Sequence, residues 1–191
     1  MRSFRNYNNV ISICGAGRNV GKTFLGESII SHFAKNNDII AIKISKFKHS
    51  ESDKVELKII FKSTNYTIYK ELNFTSKDSG RYLKAGAKNS YYIECDDANL
   101  LNAFLYVYNL HDESVFFICE SASITKYIKP ALSIFVEAEH FPTEKNKLLC
   151  LNRSSLVLKE RSIEIMMPQL FLTVKKSKWL SKYLVLENCE V

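Results

Sequence analysis

The sequence predicts an α/β fold built on a largely parallel, doubly wound sheet, with a small antiparallel β extension as an option. Four short apolar runs rich in β-branched residues have the composition of strands buried on both faces. They span residues 10–14, 38–44, 115–119 and 131–136. Segments with helical spacing lie between most of them. Strands that alternate with helices in this way are typical of parallel sheets.

The first apolar run leads through a short loop into a helix. Val10–Cys14 is followed by the eight residues AGRNVGKT, 16–23. Their spacing, Ala or Gly, then four residues, then Gly-Lys-Thr, is that of a phosphate-binding loop. Leu25, Ile29 and Phe33 then recur every four residues and form one apolar helix face. A strand, this loop and a helix in that order are the context that the motif requires.

Each residue type in the loop has a chemical reason. Gly17 and Gly21 permit the tight turn that lets successive backbone N–H groups converge on phosphate oxygens. Lys22 supplies a positive charge at the outer phosphates, and the Thr23 hydroxyl is a ligand for Mg²⁺. The sequence therefore predicts a sheet of the P-loop NTPase type that holds a nucleotide and Mg²⁺. The predicted nucleotide-binding residues are Gly17, Arg18, Asn19, Val20, Gly21, Lys22, Thr23 and Phe24.

The segment after the second strand is harder to interpret. Lys43 is expected near the carboxyl end of that strand, where doubly wound sheets bind ligands. Residues 47–76 are either an insertion or a β-hairpin region. β-Branched and aromatic content favours strands at 57–61 and 66–72. A short helix is predicted to start at Ser76 or Asp78 and to stop at Gly86.

The third buried run ends in an acidic residue. After a strand at 90–95 and a helix at 97–108, residues 115–119 form an apolar strand that stops at Glu120. In phosphate-loop proteins such a carboxylate reaches the Mg²⁺ ion or orients the attacking water, so Lys22 and Glu120 are the candidate catalytic residues, and Thr23 and Glu120 the metal ligands. The alternative is a strand-end carboxylate that faces solvent.

The remaining sequence gives weaker signals. Residues 148–191 are an unassigned C-terminal section, interpreted as a strand pair and a terminal helix that carries Trp179. With 191 residues and 46% hydrophobic content, the chain is expected to form a single domain over its whole length.

Charge and cysteine usage restrict the ligands and the compartment. The net charge of +7 favours anionic ligands, but the basic residues are scattered, which disfavours nucleic acid. Five widely spaced cysteines without a Cys-x-x-Cys pair indicate a reducing compartment. The apolar run at 10–14 is too short for a signal peptide, and no run is long enough to cross a bilayer. We expect a cytoplasmic protein with no membrane association.

Three stretches carry a resemblance to a known family. They are the loop AGRNVGKT, the segment KDSGRYLKAGA at 77–87, and the strand that ends in CES at 119–121. Together they resemble the MobB family of P-loop proteins in molybdopterin-guanine dinucleotide biosynthesis. This resemblance implies a GTP-binding adapter with weak hydrolysis that acts with a molybdopterin guanylyltransferase. It also implies that Asp78, Ser79 and Arg81 lie in or beside the ligand cleft, and that Glu120 occupies the Walker B-like place.

Two other functions remain open on the same fold. One is a small-molecule kinase that uses ATP. Such a kinase usually adds an arginine-rich lid, for which Arg153 and Arg161 are the candidates in the second half of the chain. The other is a regulatory NTPase switch. The guanine-binding motif Asn-Lys-x-Asp is not present, since Asn146-Lys147 is followed by two leucines. GTP therefore rests on the resemblance, ATP is the alternative, and a homodimer stays open.

Overall fold

One mixed β-sheet of eight strands runs through the described part of the chain. This computed structural model describes residues 5–46, 57–138, 145–176 and 179. The strands are β1 (Asn6–Gly15), β2 (Ile39–Ser45), β3 (Leu57–Lys62), β4 (Tyr66–Glu71), β5 (Asn89–Cys95), β6 (Phe116–Glu120), β7 (Lys129–Glu137) and β8 (Leu156–Lys159). Their order is β3-β4-β5-β2-β6-β1-β7-β8. The strands from β5 to β8 in this order pair in parallel, while β3 with β4 and β4 with β5 are antiparallel.

Helices cover both faces of this sheet. They are α1 (Lys22–Phe33), α2 (Asp78–Lys84), α3 (Leu100–Tyr108), α4 (Lys145–Asn152) and α5 (Ile163–Lys176). Neighbouring residues of a strand point to opposite faces. Ile39 and Ala41 of β2 accordingly join a core with α1, α2 and α5, while Ile40 and Ile42 join a core with α3. α4 packs on the α3 side, through Cys150 against Cys14 of β1.

The structure confirms the predicted α/β class with a largely parallel sheet. The sheet is mixed and mostly parallel, and the antiparallel extension is the hairpin of β3 and β4. The helix predicted from Asp78 is α2, and Gly86 follows it with a φ of 109°, a left-handed conformation that glycine adopts without strain. Residues 47–56 of the predicted insertion lie outside the described residues. No helix within the described ranges is long and apolar enough to span a bilayer.

The C-terminal section differs from its prediction. Instead of a strand pair and one helix, the described residues from 145 form α4, the single strand β8 and then α5. β8 adds to the sheet edge beside β7, and it buries Leu158 while Val157 stays exposed. A four-residue edge strand between helices of 8 and 14 residues gives too little periodicity to be separated from them by pattern.

Trp179 follows α5 and packs into the core that α1, α2 and α5 form with one face of the sheet. Its side chain is 1% exposed and its ring lies 4.7 Å from that of Phe116 and 5.7 Å from that of Phe33. Its indole N–H donates to the Asn9 carbonyl at 3.0 Å. A buried tryptophan with a satisfied N–H is a large apolar contribution without a polar penalty. Trp179 therefore anchors the end of the described chain to β1, α1 and β6.

Gly26 lies in the middle of α1, where glycine is unfavourable by roughly 1 kcal/mol relative to alanine. The reason is the contact with α2. A Cβ atom at position 26 would lie 2.7 Å from Cε1 of Tyr82, whose ring is fully buried. The glycine thus allows α2 to pack close to α1.

We expect Gly26→Ala to destabilise the protein by about 1–3 kcal/mol, because overpacking against the Tyr82 ring outweighs the gain in helix propensity. Urea unfolding measures this difference. Ser31→Ala, at an exposed position of the same helix, is the matched control and should change stability by about 0.5 kcal/mol or less. A Gly26→Ala variant more stable than the native chain would contradict the close α1–α2 contact.

Candidate functional site

Three adjacent parallel strands bring polar groups to one edge of the sheet. β2, β6 and β1 are neighbours, and their carboxyl ends lie at the same edge because they are parallel. Lys43 of β2 is directly opposite Glu120 of β6 in the register. Opposed residues on neighbouring strands point to the same face, so their side chains meet. Glu120 is 2% exposed and therefore needs partners inside the protein.

The loop between β1 and α1 has the backbone of a tight turn. Asn19 and Gly21 have φ values of 58° and 86°, both in the left-handed region. Gly21 precedes the first residue of α1, and a Cβ atom there would lie 2.7 Å from the Ile163 side chain. The Lys22 ammonium folds back to the carbonyl of Gly17. The first-turn N–H groups of a helix have no partner within the helix.

Four side chains form a closed ring of contacts at the start of α1. The Thr23 hydroxyl lies 2.8 Å from Asp78 Oδ1 and 3.1 Å from Glu120 Oε2. The Lys43 ammonium lies 2.7 Å from Asp78 Oδ2 and 2.5 Å from Glu120 Oε1. Each carboxylate therefore has one oxygen on Thr23 and the other on Lys43. We call these four residues the carboxylate ring.

Electrostatics keep this ring charged. Burial disfavours the ammonium of Lys43, but Glu120 and Asp78 outweigh that effect and raise the pKa of Lys43. Burial likewise opposes ionisation of Asp78, yet Lys43 outweighs it and lowers the pKa of that carboxyl. For Lys22, burial dominates and lowers the pKa, although Glu120 acts in the opposite direction. The ring is thus an ion-paired cluster with a less well-compensated lysine beside it.

Tyr82 is the site residue that the sequence analysis missed. Its hydroxyl donates to Glu120 Oε2 at 2.5 Å, and burial followed by the Glu120 charge raises its pKa. Tyr82 follows Asp78 by four residues, so both lie on the same face of α2. That i, i+4 spacing was the available signal, but a tyrosine at such a position is usually a core residue.

Ser79 and Arg81 mainly fix α2. The Ser79 hydroxyl donates to Glu71 at 2.6 Å, and Arg81 forms a two-pronged ion pair with Glu27 of α1, with its Nε at 2.8 Å from Oε1. Both residues also line the cleft described next. Val20, which is also predicted to bind the nucleotide, lines neither of the two clefts at this edge, and its side chain is buried in the core.

Two clefts meet at Lys22, Lys43 and Glu120. The first has a volume of about 850 Å³, and the second about 510 Å³. Volumes of this size are typical of small-molecule sites. Those predicted site residues that line the first cleft are Arg18, Asn19, Gly21, Lys22, Thr23, Phe24, Lys43, Asp78, Ser79, Arg81 and Glu120. Gly17 lines the second cleft.

The loop after β6 forms a wall of the second cleft and is held by Asp97. This carboxylate accepts from the Ser123 hydroxyl at 2.6 Å and from Lys126 at 2.8 Å, and it pairs with Lys46 at 3.0 Å. Burial opposes its ionisation, but these donors outweigh burial and lower the pKa of Asp97 to about 2. The wall is therefore ordered by charge at neutral pH.

The donor set of the carboxylate ring suits a hard divalent cation. Carboxylate and hydroxyl oxygens are the ligands that Mg²⁺ takes in proteins. Thr23 and Glu120 are the metal ligands predicted from the sequence, and Asp78 also places an oxygen on the Thr23 hydroxyl. Among the described residues, no group of three or more His, Cys, Asp or Glu offers an alternative cluster.

Comparisons with protein-family models, with curated proteins and with solved structures give no match to this chain. Its function is therefore argued from the geometry of the loop, the carboxylate ring and the two clefts.

We expect Tyr82→Phe to lower the free energy of unfolding by about 1–3 kcal/mol, because the buried Glu120 carboxylate loses a donor while the packing of the aromatic side chain is kept. Urea unfolding measures it. The matched control is Tyr106→Phe, whose hydroxyl lies 3.5 Å from the Ile60 carbonyl and should contribute little. Equal losses in the two variants would show that the Tyr82 hydroxyl has no special role at Glu120.

Proposed function

We propose that this chain is a Mg²⁺-dependent, GTP-binding adapter of the P-loop NTPase type, with slow hydrolysis. One observation carries the proposal. The loop of residues 16–23 presents Lys22 and Thr23 at the start of α1, directly beside the paired carboxylates of Asp78 and Glu120. A phosphate loop needs its lysine, its hydroxyl and an acidic strand end within reach of one another.

Phosphate binding follows from the residues of the loop. Lys22 and the first-turn N–H groups of α1 supply positive charge, and the dipole of this 12-residue helix adds to it. Lys22 is bonded to a carbonyl rather than a carboxylate and its pKa is lowered by burial, so a phosphate oxygen is a better partner than its present one. Arg18 and Lys77 on the rim of the first cleft add to the charge that attracts an anion.

Thr23, Glu120 and Asp78 would hold Mg²⁺ by their oxygens. Bound Mg²⁺ neutralises charge on the phosphate oxygens and thereby supports both binding and phosphoryl transfer. Thr23 is the first candidate because its position after the loop lysine fixes the hydroxyl at the start of α1. The two carboxylates supply the negative charge that retains the ion.

Slow turnover is expected from the surroundings of Glu120. Its two oxygens already lie within hydrogen-bond distance of donors on Lys43, Thr23 and Tyr82. A carboxylate whose oxygens already accept from three donors has little acceptor capacity left to orient an attacking water. This favours a protein that holds the nucleotide over one that consumes it quickly.

The choice of GTP and of the partner rests on the resemblance to the MobB family. On this proposal, the chain binds GTP in the cytoplasm and docks on a molybdopterin guanylyltransferase, as a monomer or a homodimer. α2, whose Asp78, Ser79 and Arg81 belong to the resembling segment, lies at the mouth of the first cleft, where a partner could sense the bound nucleotide.

A second candidate is a small-molecule kinase that uses ATP. The observation that favours it is the second cleft, which meets the first at Lys22, Lys43 and Glu120. An acceptor held there would lie beside the outer phosphate. Arg153 and Arg161, the candidate lid arginines of a kinase, line neither cleft. Arg153 instead donates to the Thr125 carbonyl at 2.8 Å.

Calorimetry with GTP and with ATP in the presence of Mg²⁺ tests the proposal. We expect tighter binding of GTP, and a loss of affinity of about a hundredfold or more in Lys22→Ala, which corresponds to about 2.8 kcal/mol. Lys35→Ala, at an exposed position after α1, is the control and should bind like the native chain.

Three other outcomes would change the proposal. Preference for ATP would favour the kinase. An unchanged nucleotide affinity in Lys22→Ala would contradict a phosphate-binding role for the loop. The absence of binding to either nucleotide by a folded native chain would contradict it as well.

A further inference from the structure

At the start of α1, the carboxylate ring brings three oxygen atoms from three different side chains close together. Asp78 Oδ1 and Glu120 Oε2 both lie on the Thr23 hydroxyl, at 2.8 and 3.1 Å. A hydroxyl has one proton, so it can donate to only one of two ionised carboxylates at a time. The Tyr82 hydroxyl also directs its proton to Glu120 Oε2. At this corner of the ring, one hydroxyl oxygen and two carboxylate oxygens face one another, and oxygens of these kinds are the ligands that Mg²⁺ takes in proteins.

The opposite corner already holds a cation of the protein itself. Lys43 contacts Asp78 Oδ2 and Glu120 Oε1, the two oxygens that do not face Thr23. Its side chain is 19% exposed, and its ammonium lies between these two oxygens, at 2.7 and 2.5 Å. Lys43 therefore fixes both carboxylates and cancels part of their charge.

A count of charges shows the consequence for metal binding. Asp78 and Glu120 contribute two negative charges, while Lys43 and the neighbouring Lys22 contribute up to two positive ones. A divalent cation that approaches the Thr23 corner alone thus meets a site close to neutral. A nucleoside triphosphate on the loop would add negative charge and bind Lys22, which makes the same corner attractive to the cation.

We propose that Lys43 suppresses divalent-cation binding in the absence of nucleotide and so makes metal binding depend on nucleotide. The nucleotide part of this inference rests on the proposed function. The suppression itself is a property of the carboxylate ring, and it is measured without any nucleotide.

The test is Mn²⁺ binding to nucleotide-free protein, followed by electron paramagnetic resonance of the free ion. We expect Lys43→Met to bind one Mn²⁺ at least tenfold more tightly than the native chain. The double variant Lys43→Met/Asp78→Asn should lose that gain, because one carboxylate ligand is then neutral. Lys43→Gln, which keeps a polar group beside the carboxylates, serves as a second variant should the methionine variant not fold.

Lys126→Met is the matched control. Lys126 has a side chain 16% exposed, pairs with the carboxylate of Asp97, and follows the same strand end as Glu120, but it does not touch the carboxylate ring. The Lys126→Met substitution removes the same charge as Lys43→Met and should leave Mn²⁺ affinity unchanged.

Unchanged or weaker Mn²⁺ binding in both Lys43 variants would overturn the proposal, and so would an equal gain in Lys126→Met. The proposed function fails separately, if the native chain binds neither GTP nor ATP with Mg²⁺. In that case the Mn²⁺ measurement still decides whether Lys43 suppresses cation binding.

Discussion

The buried carboxylate of Glu120 is the constraint on which the arrangement of the site depends. At 2% exposure it cannot rely on water, and an unpaired buried charge costs several kcal/mol. Its partners come from three different elements: Lys43 from β2, Thr23 from α1 and Tyr82 from α2. Satisfying one carboxylate therefore fixes the relative positions of a strand and two helices, and it brings the loop of residues 16–23 to the same point.

The contact between α1 and α2 transmits this constraint to the cleft. Gly26 lets the Tyr82 ring approach α1, and Arg81 pairs with Glu27 on the same helix. A ligand that binds Lys22 or Thr23 contacts the start of α1. Because Thr23 and Tyr82 both contact Glu120, a shift of α1 would also change the contacts of α2. Under the function proposed above, these contacts connect a nucleotide on the loop to the surface of α2.

Much of the fold could be predicted from sequence because its signals are local. The strand, loop and helix around Lys22, the hairpin of β3 and β4, and the strand that ends at Glu120 each follow from composition and spacing. The convergence of Asp78 and Tyr82 on Glu120 could not be predicted, because it depends on how α2 packs across the sheet edge. The packing role of Gly26 could not be predicted either, because a glycine within a helix has several explanations. The C-terminal prediction was wrong where a four-residue strand between two helices left no clear period.

The proposed function requires that the loop of residues 16–23 holds the phosphates of a nucleotide beside the carboxylate ring. Hydrogen–deuterium exchange with and without Mg²⁺ and GTP tests it most directly, because bound phosphates protect the amides they contact. We expect slower exchange at residues 17–24 and in α2, with no change in β7 and β8. Unaltered exchange at residues 17–24 when the nucleotide is bound, or protection only elsewhere, would show that this loop does not hold the phosphates.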